Sequence, residues 1–339
     1  MTRAAVLHGP EDLRIEEIPV RPPCPGEVLV DIDAVGICGS DMHYFSSGRN
    51  GQNELRRPTV LGHEASGVVT EAGPGTDIRP GTPVVIEPAV GCGSCPVCRA
   101  GRYNLCPSGT CFGSPPTHGL LAGRVTVPAR AVHRLPESIP VELGALIEPL
   151  AVAVWAVRRA EVAFGHRVLV TGAGPIGILV TQVARAAGAT EVIVTDLNDE
   201  RLAQARKLGA TQTVNTAQQD LDLSDVDRLI ECSAHPAALW QGLRTLKPGS
   251  RATVVGQAPP AVDGLPLGHL QRWEIDLVTS FRYAHAFPTA LALAADGRVD
   301  LVPLLTGRFP LDAAADALRA PLVDPNHLKV VVRPDGTPG

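Results

Sequence analysis

Along the first 150 residues, apolar positions come in short β-branched runs, "EVLVDI", "ASGVVTEA" and "TPVVIE", separated by glycine and proline. Runs of this length bounded by turn residues predict strands, so the region reads as a compact all-β domain. After "LIEPLAVAVWAVRRA" the pattern changes. "RVLVT", "EVIVTD", "DRLIECS", "RATVVG" and "IDLVTS" are nearly continuous apolar runs, and the stretches between them fit amphipathic helices. Buried strands alternating with helices predict an α/β fold, a doubly wound parallel sheet of the Rossmann type. A helix over "PTALALAADG" follows, and then "LKVVVRP", a late strand suited to rejoining the β domain. The expected division is residues 1–150 with 281–339 against residues 151–280.

Length and composition agree with two domains: 339 residues, 45% of them hydrophobic, can bury two cores. The formal net charge of −5 gives no electrostatic preference for nucleic acid or anionic membranes. The N-terminal "MTRAAVLHGPEDLRIEEIPV" lacks the apolar core of a signal peptide, and no apolar run approaches the ~18 residues of a membrane span. The expectation is a soluble cytoplasmic protein. Its eight cysteines are unevenly spread: Cys92, Cys95, Cys98 and Cys106 crowd into "GCGSCPVCRAGRYNLC", while Cys24, Cys38, Cys111 and Cys232 are scattered. Without a secretory signal such a cluster reads as a metal site rather than a disulfide framework.

"TGAGPIG" carries a glycine pattern at Gly172, Gly174 and Gly177, after an apolar strand and at the start of a helical run. A bare pattern of this kind is common; its position is what points to a dinucleotide. The first glycine permits the turn, the second lets backbone N–H groups approach a pyrophosphate, and the third allows helix and strand to pack closely. The next apolar strand ends in Asp196, about 20 residues on, where a ribose-binding carboxylate belongs. A carboxylate there bonds ribose hydroxyls and repels a 2′-phosphate, and Leu197 and Asn198 follow it rather than an arginine. The pattern predicts NAD, with an exposed strand-end aspartate as the plain alternative.

Cys92, Cys95, Cys98 and Cys106 follow C-x2-C-x2-C-x7-C, a lobe of about residues 88–110. Four thiolates fill a tetrahedral Zn²⁺ shell and leave no open position, which marks a structural site. An iron–sulfur cluster is the alternative, although the rest of the chain has no electron-transfer character. A second set must be gathered from distant pieces: Cys38 in "GICGSDMHYF", His63 and Glu64 in "LGHEASG", and Glu148 in "ALIEPLAV". Each is unremarkable alone. A lone cysteine is often a small buried hydrophobe, and Glu-Pro often starts a helix. Together they offer thiolate, imidazole and carboxylate, and catalytic zinc takes three protein ligands with one position open.

These motifs together, with "GHExxGxVxxxGxG" and the four-cysteine lobe, resemble the zinc-dependent medium-chain dehydrogenase/reductases. "ICGSDMHYF", "VLGHEASGVV", "RYNLCPS", "GALIEPLAV" and "SFRYAHAFPTAL" are most similar to the sorbitol (polyol) dehydrogenases of that superfamily. The resemblance covers nearly the whole chain. It implies a GroES-like β domain completed by the C-terminal segment, a Rossmann domain, and an active site in the cleft between them. Two zinc ions per chain are implied, one catalytic and one structural. Cys38, His63 and Glu64 match the catalytic zinc ligands, and Glu148 matches a carboxylate that holds water or substrate at the metal or joins its shell. Ser40 matches the hydroxyl that starts the proton relay, with His43 either a further member or a turn residue. Tyr44, Phe112, Arg282 and Tyr283 match polyol-pocket positions, Arg282 bonding a distal hydroxyl. Core aromatics are the alternative reading of Tyr44 and Phe112. Asp196 and Arg201 match adenosine-ribose contacts, and Ile176, Val255, Gly256, Gln257, Ser280, Phe281 and Arg282 match residues that line the cofactor.

Two features depart from, or divide, the family. The usual "GDxV" is "GTPV" here, Gly81 to Val84, at a turn remote from the chemistry. The four-cysteine set, which mammalian sorbitol dehydrogenases have lost, is intact, as in microbial members. The implied activity is NAD-dependent oxidation of a polyol or sugar alcohol, by a homo-oligomer that is a tetramer or a dimer. The alternatives are an L-threonine 3-dehydrogenase, a plain secondary-alcohol dehydrogenase, or a non-catalytic nucleotide-binding protein on the same scaffold. The last is disfavoured by the intact Cys38, His63, Glu64 and Glu148 set.

Overall fold

The computed structural model describes residues 1–257 and 263–334, which divide into two compact units. One comprises Met1–Glu148 with Leu301–Gly339, the other Pro149–Asp300.

The first unit is built on a seven-stranded sheet whose centre is Glu27–Gly36, the strand that contains "EVLVDI". Glu64–Ala72 pairs with it antiparallel, placing Glu64 opposite Gly36. Pro83–Ile86 and Val132–Arg134 extend the sheet on that side. On the other side Lys329–Arg333 returns antiparallel, with Val331 opposite Gly36, and Leu305–Pro310 lies parallel to it. Val28, Val30, Ile32 and Val35 of the central strand enter a core with Leu61, Leu120, Leu121 and Val330. The C-terminal segment is therefore part of the first unit, as the "LKVVVRP" pattern predicts.

The second unit holds a six-stranded, all-parallel sheet. Its spatial order is Gln212–Asn215, Glu191–Asp196, Arg167–Thr171, Val226–Glu231, Leu246–Val254, Asp276–Thr279. The order runs outward from Arg167–Thr171 in both directions, so the strand order reverses beside it. Ligands of such sheets bind at the carboxyl ends of the strands at that reversal. Five strands coincide with apolar runs in the sequence. Gln212–Asn215 does not, because four residues with one apolar side chain give no periodicity.

Residues 281–300, expected with the first domain, lie in the second unit. The reason is local: Arg158 donates to the His285 carbonyl at 2.9 Å and to Thr289 Oγ1 at 2.6 Å. Gln182 exchanges two hydrogen bonds with the backbone of Asp300, at 3.1 and 2.8 Å. No helix among the described residues is long and apolar enough to cross a membrane.

Candidate functional site

In the first unit the central strand ends at Gly36, and after one turn the helix Gly39–Ser47 begins with Cys38 as its N-cap. Asp41, at the third helical position, turns its carboxylate back to the Cys38 amide, 3.1 Å away, and so satisfies one of the donors a helix start leaves free. Its other oxygen accepts from the Gly62 amide at 3.1 Å and lies 3.5 Å from His63 Nδ1. One carboxylate, 1% exposed, thus fixes the backbone at Cys38, the turn before His63, and the His63 ring. Gly62 adopts φ +86°, and a Cβ there would press on Leu121 and Val35 at 2.8 Å.

Glu64 opens the next strand, buried at 1% exposure, over Gly36, where any Cβ would collide with its carboxylate. The ligand atoms of Cys38, His63 and Glu64 all lie within 4.8 Å of one another, close enough to share one metal ion. Burial opposes a charge on His63, but Asp41 by its negative charge, joined by Cys38, raises it well above the ordinary imidazole value. A carboxylate behind a metal-ligating imidazole orients the ring and increases its basicity. The set combines a soft thiolate, an imidazole and a carboxylate, a donor mixture that suits zinc.

Glu148, buried in the first turn of the helix Ile147–Arg159, lies outside the three-residue group, yet its charge reaches Lys329 beside Glu64. Ser40 is half-buried and His43 exposed on the Gly39–Ser47 helix. The His43 carbonyl accepts from the Ser47 hydroxyl at 2.8 Å. Tyr44 is 2% exposed within the core, its hydroxyl accepting a 2.7 Å bond from the Asn53 amide, and Phe112 packs half-buried against the same core. Both are core aromatics in this fold.

The four-cysteine lobe is the second metal cluster among the described residues. Cys92 and Cys98 sulfurs lie 4.0 Å apart and those of Cys95 and Cys106 3.9 Å apart. Four sulfurs at 2.3 Å from a tetrahedral zinc stand about 3.8 Å from each other, so the spacing fits. Backbone amides of Cys92, Cys95 and Cys98 donate to neighbouring sulfurs at 3.3 to 3.4 Å. The Ser94 hydroxyl and nearby amides depress the Cys92 thiol to about 5, while burial and the neighbouring sulfurs push Cys98 up to about 12. A dication held by the four sulfurs favours their ionised form and offsets the repulsion among them. Cys95→Ser should cost one zinc per chain and lower Tm by about 3 °C, the shift of roughly 2 kcal/mol in a chain of this size. Metal analysis and thermal unfolding check both.

In the second unit, the strand Arg167–Thr171 leads into Gly172 at φ +91°, and the helix Pro175–Ala186 starts at Gly174. Gly177 rests on the Gly172 carbonyl, where a Cβ would collide. A Cβ on Gly174, by contrast, would meet no atom within 4 Å, so this face of the turn is open to a ligand over the helix N-terminus. Asp196 at the next strand end accepts from the amides of Ala173, Leu197 and Asn198 at 2.6, 2.8 and 3.0 Å. The carboxylate is thereby held at the edge of the glycine turn. Arg201 follows in the first turn of the helix Asp199–Lys207, and Ile176 in that of Pro175–Ala186.

At the neighbouring strand end the Glu231 carbonyl accepts from Val255 and Gly256 at 2.9 and 3.0 Å, and its carboxylate holds Ser233. Gln257 and Phe281 are exposed, and Ser280 places a buried hydroxyl that has no hydrogen-bond partner among the described residues. An open glycine cradle, an oriented carboxylate and an orphaned hydroxyl at the carboxyl ends of a parallel sheet fit a dinucleotide. Arg282, at φ +49°, stacks its guanidinium 4.9 Å above the Phe281 ring. Tyr283 is fully buried, edge to face with Phe287 at 5.2 Å.

Sequence reasoning passed over Asp41, Lys329, Asn53 and Glu231. Asp41 had a signal, an acid three residues after an N-cap. Lys329 and Asn53 act through contacts between distant segments, and nothing local marks Glu231, whose carboxylate holds Ser233 two residues on.

The profile of the alcohol dehydrogenase GroES-like domain matches residues 24–137, and that of the zinc-binding dehydrogenases matches residues 175–296. Sorbitol dehydrogenase of Rattus norvegicus is 41% identical over 323 residues, covering 92% of this chain and 90% of the relative. Sorbitol dehydrogenase of Bacillus subtilis is 36% identical over 345 residues, covering 98% of this chain and 97% of the relative. The solved structure of L-idonate 5-dehydrogenase from Escherichia coli is similar at a TM-score of 0.93 and 30% identity, covering 98% of each chain.

Proposed function

Because the chain belongs to the zinc-dependent medium-chain dehydrogenase/reductase family, and is sorbitol dehydrogenase-like within it, we propose that it oxidises a secondary hydroxyl of a polyol to a ketone with NAD. The observation that carries this reading is the meeting of Cys38, His63 and Glu64 within 4.8 Å, in a chain that also folds an open dinucleotide turn.

When bound, zinc supplies a Lewis acid that makes the substrate hydroxyl acidic near neutral pH, and NAD supplies the hydride acceptor. The chain's own groups then have separate tasks. Cys38, His63 and Glu64 hold the metal, and Asp41 holds the His63 ring. Ser40 takes the hydroxyl proton, and the exposed His43, three residues further along the same helix, passes it to water. Glu148 holds the reacting hydroxyl in place. Arg282 offers forked donors to vicinal hydroxyls, while Tyr44 and Phe112 in the first unit and Tyr283 in the second, being buried or half-buried, act by packing rather than as exposed contacts. Gly172, Gly174 and Gly177 admit the pyrophosphate, Asp196 and Arg201 hold the adenosine ribose, and Ile176, Val255, Gly256, Gln257, Ser280 and Phe281 line the cofactor. With NAD bound, loss of one proton through Ser40 and of one hydride from the carbinol carbon would balance the conversion of alcohol to ketone.

The same reading makes residues 1–150 with the C-terminal segment the catalytic domain and the Rossmann unit the cofactor domain. It also places the protein in the cytoplasm as a homo-oligomer, a tetramer or a dimer, with small molecules as its partners. A panel of sorbitol, xylitol, other polyols, L-threonine and simple secondary alcohols, each with NAD and NADP, tests it. Polyols with NAD should give the highest kcat/KM. A higher value for threonine or for a simple alcohol would replace the polyol reading with one of its alternatives.

A further inference from the structure

Lys329 is one of three lysines in a chain whose other cations are arginines, and it is 3% exposed. Burying an ammonium costs several kcal/mol unless charge and hydrogen bonds compensate it. Here all three of its donors have partners. Nζ bonds Glu64 Oε1 at 2.5 Å, Glu64 Oε2 at 2.6 Å and the Ile37 carbonyl at 2.9 Å. Ile37 immediately precedes Cys38, and the Ile37 amide donates to the Val330 carbonyl at 3.0 Å. The backbone ahead of the thiolate is thus stitched to residues 329 and 330 in both directions. The same ammonium grips the carboxylate ligand through both oxygens. Each carboxylate oxygen accepts at two positions, so these bonds leave capacity for a metal.

A compact ammonium can place three donors on two acceptors groups at this depth, whereas a planar guanidinium spreads its donors in a fixed fork. The strand that delivers it, Lys329–Arg333, lies beside Glu27–Gly36 in the sheet, with Val331 opposite Gly36.

We propose that Lys329 is a positioning residue of the metal centre, one buried ammonium that sets both the Glu64 carboxylate and the backbone ahead of Cys38. Two of the three ligands are then placed by the last strand among the described residues, 265 residues beyond Glu64. The proposal rests on the reading of Cys38, His63 and Glu64 as a metal site, and its test separates the two.

Metal-free full-length protein is titrated with zinc against a competing chelating dye. Wild type should bind about two zinc ions per chain, one in the four-cysteine lobe and one at Cys38, His63 and Glu64. Lys329→Met keeps the length and apolar stem but removes charge and donors. It should weaken one of the two sites by about 10- to 100-fold, the range for loss of a group that orients a metal ligand, and leave the other unchanged. In a Glu64→Gln background the same substitution should cost several-fold less than in wild type, because the share that acts through the Glu64 charge is already gone while the bond to the Ile37 carbonyl remains to be lost. Lys329→Gln is read the same way if Lys329→Met does not fold. Unchanged affinity at both sites in Lys329→Met, or equal losses with and without Glu64→Gln, would overturn the role of Lys329. A wild-type zinc stoichiometry that Cys38→Ser leaves unchanged would instead overturn the site reading on which it rests.

Discussion

Cys38→Ser is expected to remove one of the two zinc ions per chain and to lower kcat/KM for polyol oxidation by about three orders of magnitude, while Tm hardly moves. The first effect follows from chemistry: a neutral serine hydroxyl is a far weaker zinc donor than a thiolate. The rate follows from the metal, since a Lewis acid at a developing charge contributes several kcal/mol, roughly a thousandfold at ~4 kcal/mol. The stability follows from position. Cys38 is the N-cap of the Gly39–Ser47 helix with Asp41 answering at the third helical residue, and serine is among the preferred residues at that cap. The substitution therefore leaves the helix start intact and isolates the metal. Metal content, kcat/KM and Tm on one preparation decide it; a variant with both zinc ions and full activity would contradict the assignment.

Asp196→Ala should lower kcat/KM with NAD by about 10- to 100-fold, the ~1.5–3 kcal/mol of hydrogen bonds to a charged group. NADP should lose less, because removing the carboxylate also removes repulsion of a 2′-phosphate, so the NAD to NADP ratio falls. Asp196 also accepts from three amides, at Ala173, Leu197 and Asn198, and alanine leaves all three without that acceptor. Part of the loss would then come from a loosened glycine turn. Asp196→Asn separates the contributions: it keeps an acceptor oxygen for the amides and discards the charge. Ratios measured for both variants at fixed ionic strength provide the check. A ratio equal to that of wild type in both would remove the argument for NAD.

How far the sequence foretold this arrangement depended on how local each feature is. Arg167–Thr171 and Glu191–Asp196 were legible because buried parallel strands are continuous apolar runs closed by glycine or acid. Gln212–Asn215 was not, since a short polar edge strand exists by pairing with Glu191–Asp196 rather than by pattern. The side of the boundary to which residues 281–300 belong was hidden for a similar reason. The helix Phe287–Ala295 is apolar on its own account, and only Arg158 and Gln182 reveal which unit claims the segment.

The candidate ligands could be read from residue type, because few patterns other than a metal site ask for thiolate, imidazole and carboxylate together. Their supports could not. Lys329 lies 292 residues from the Ile37 carbonyl it bonds, and nothing in "HLKVVV" distinguishes a buried ammonium from an edge-strand lysine. Tyr44 shows the opposite error of scale. Its sequence neighbours include a candidate metal ligand and a candidate relay serine, yet its ring fills the core and its hydroxyl accepts from Asn53.

The central claim is that hydride leaves a polyol for NAD only when the site of Cys38, His63 and Glu64 is charged with zinc. NADH formation from sorbitol or xylitol should therefore be followed with one preparation in three states: as purified, stripped by a strong chelator, and stripped then resupplied with zinc. The account predicts turnover in the first state, its loss in the second, and recovery in the third as the second equivalent of metal per chain is bound. Equal turnover by protein shown to contain no metal would contradict it.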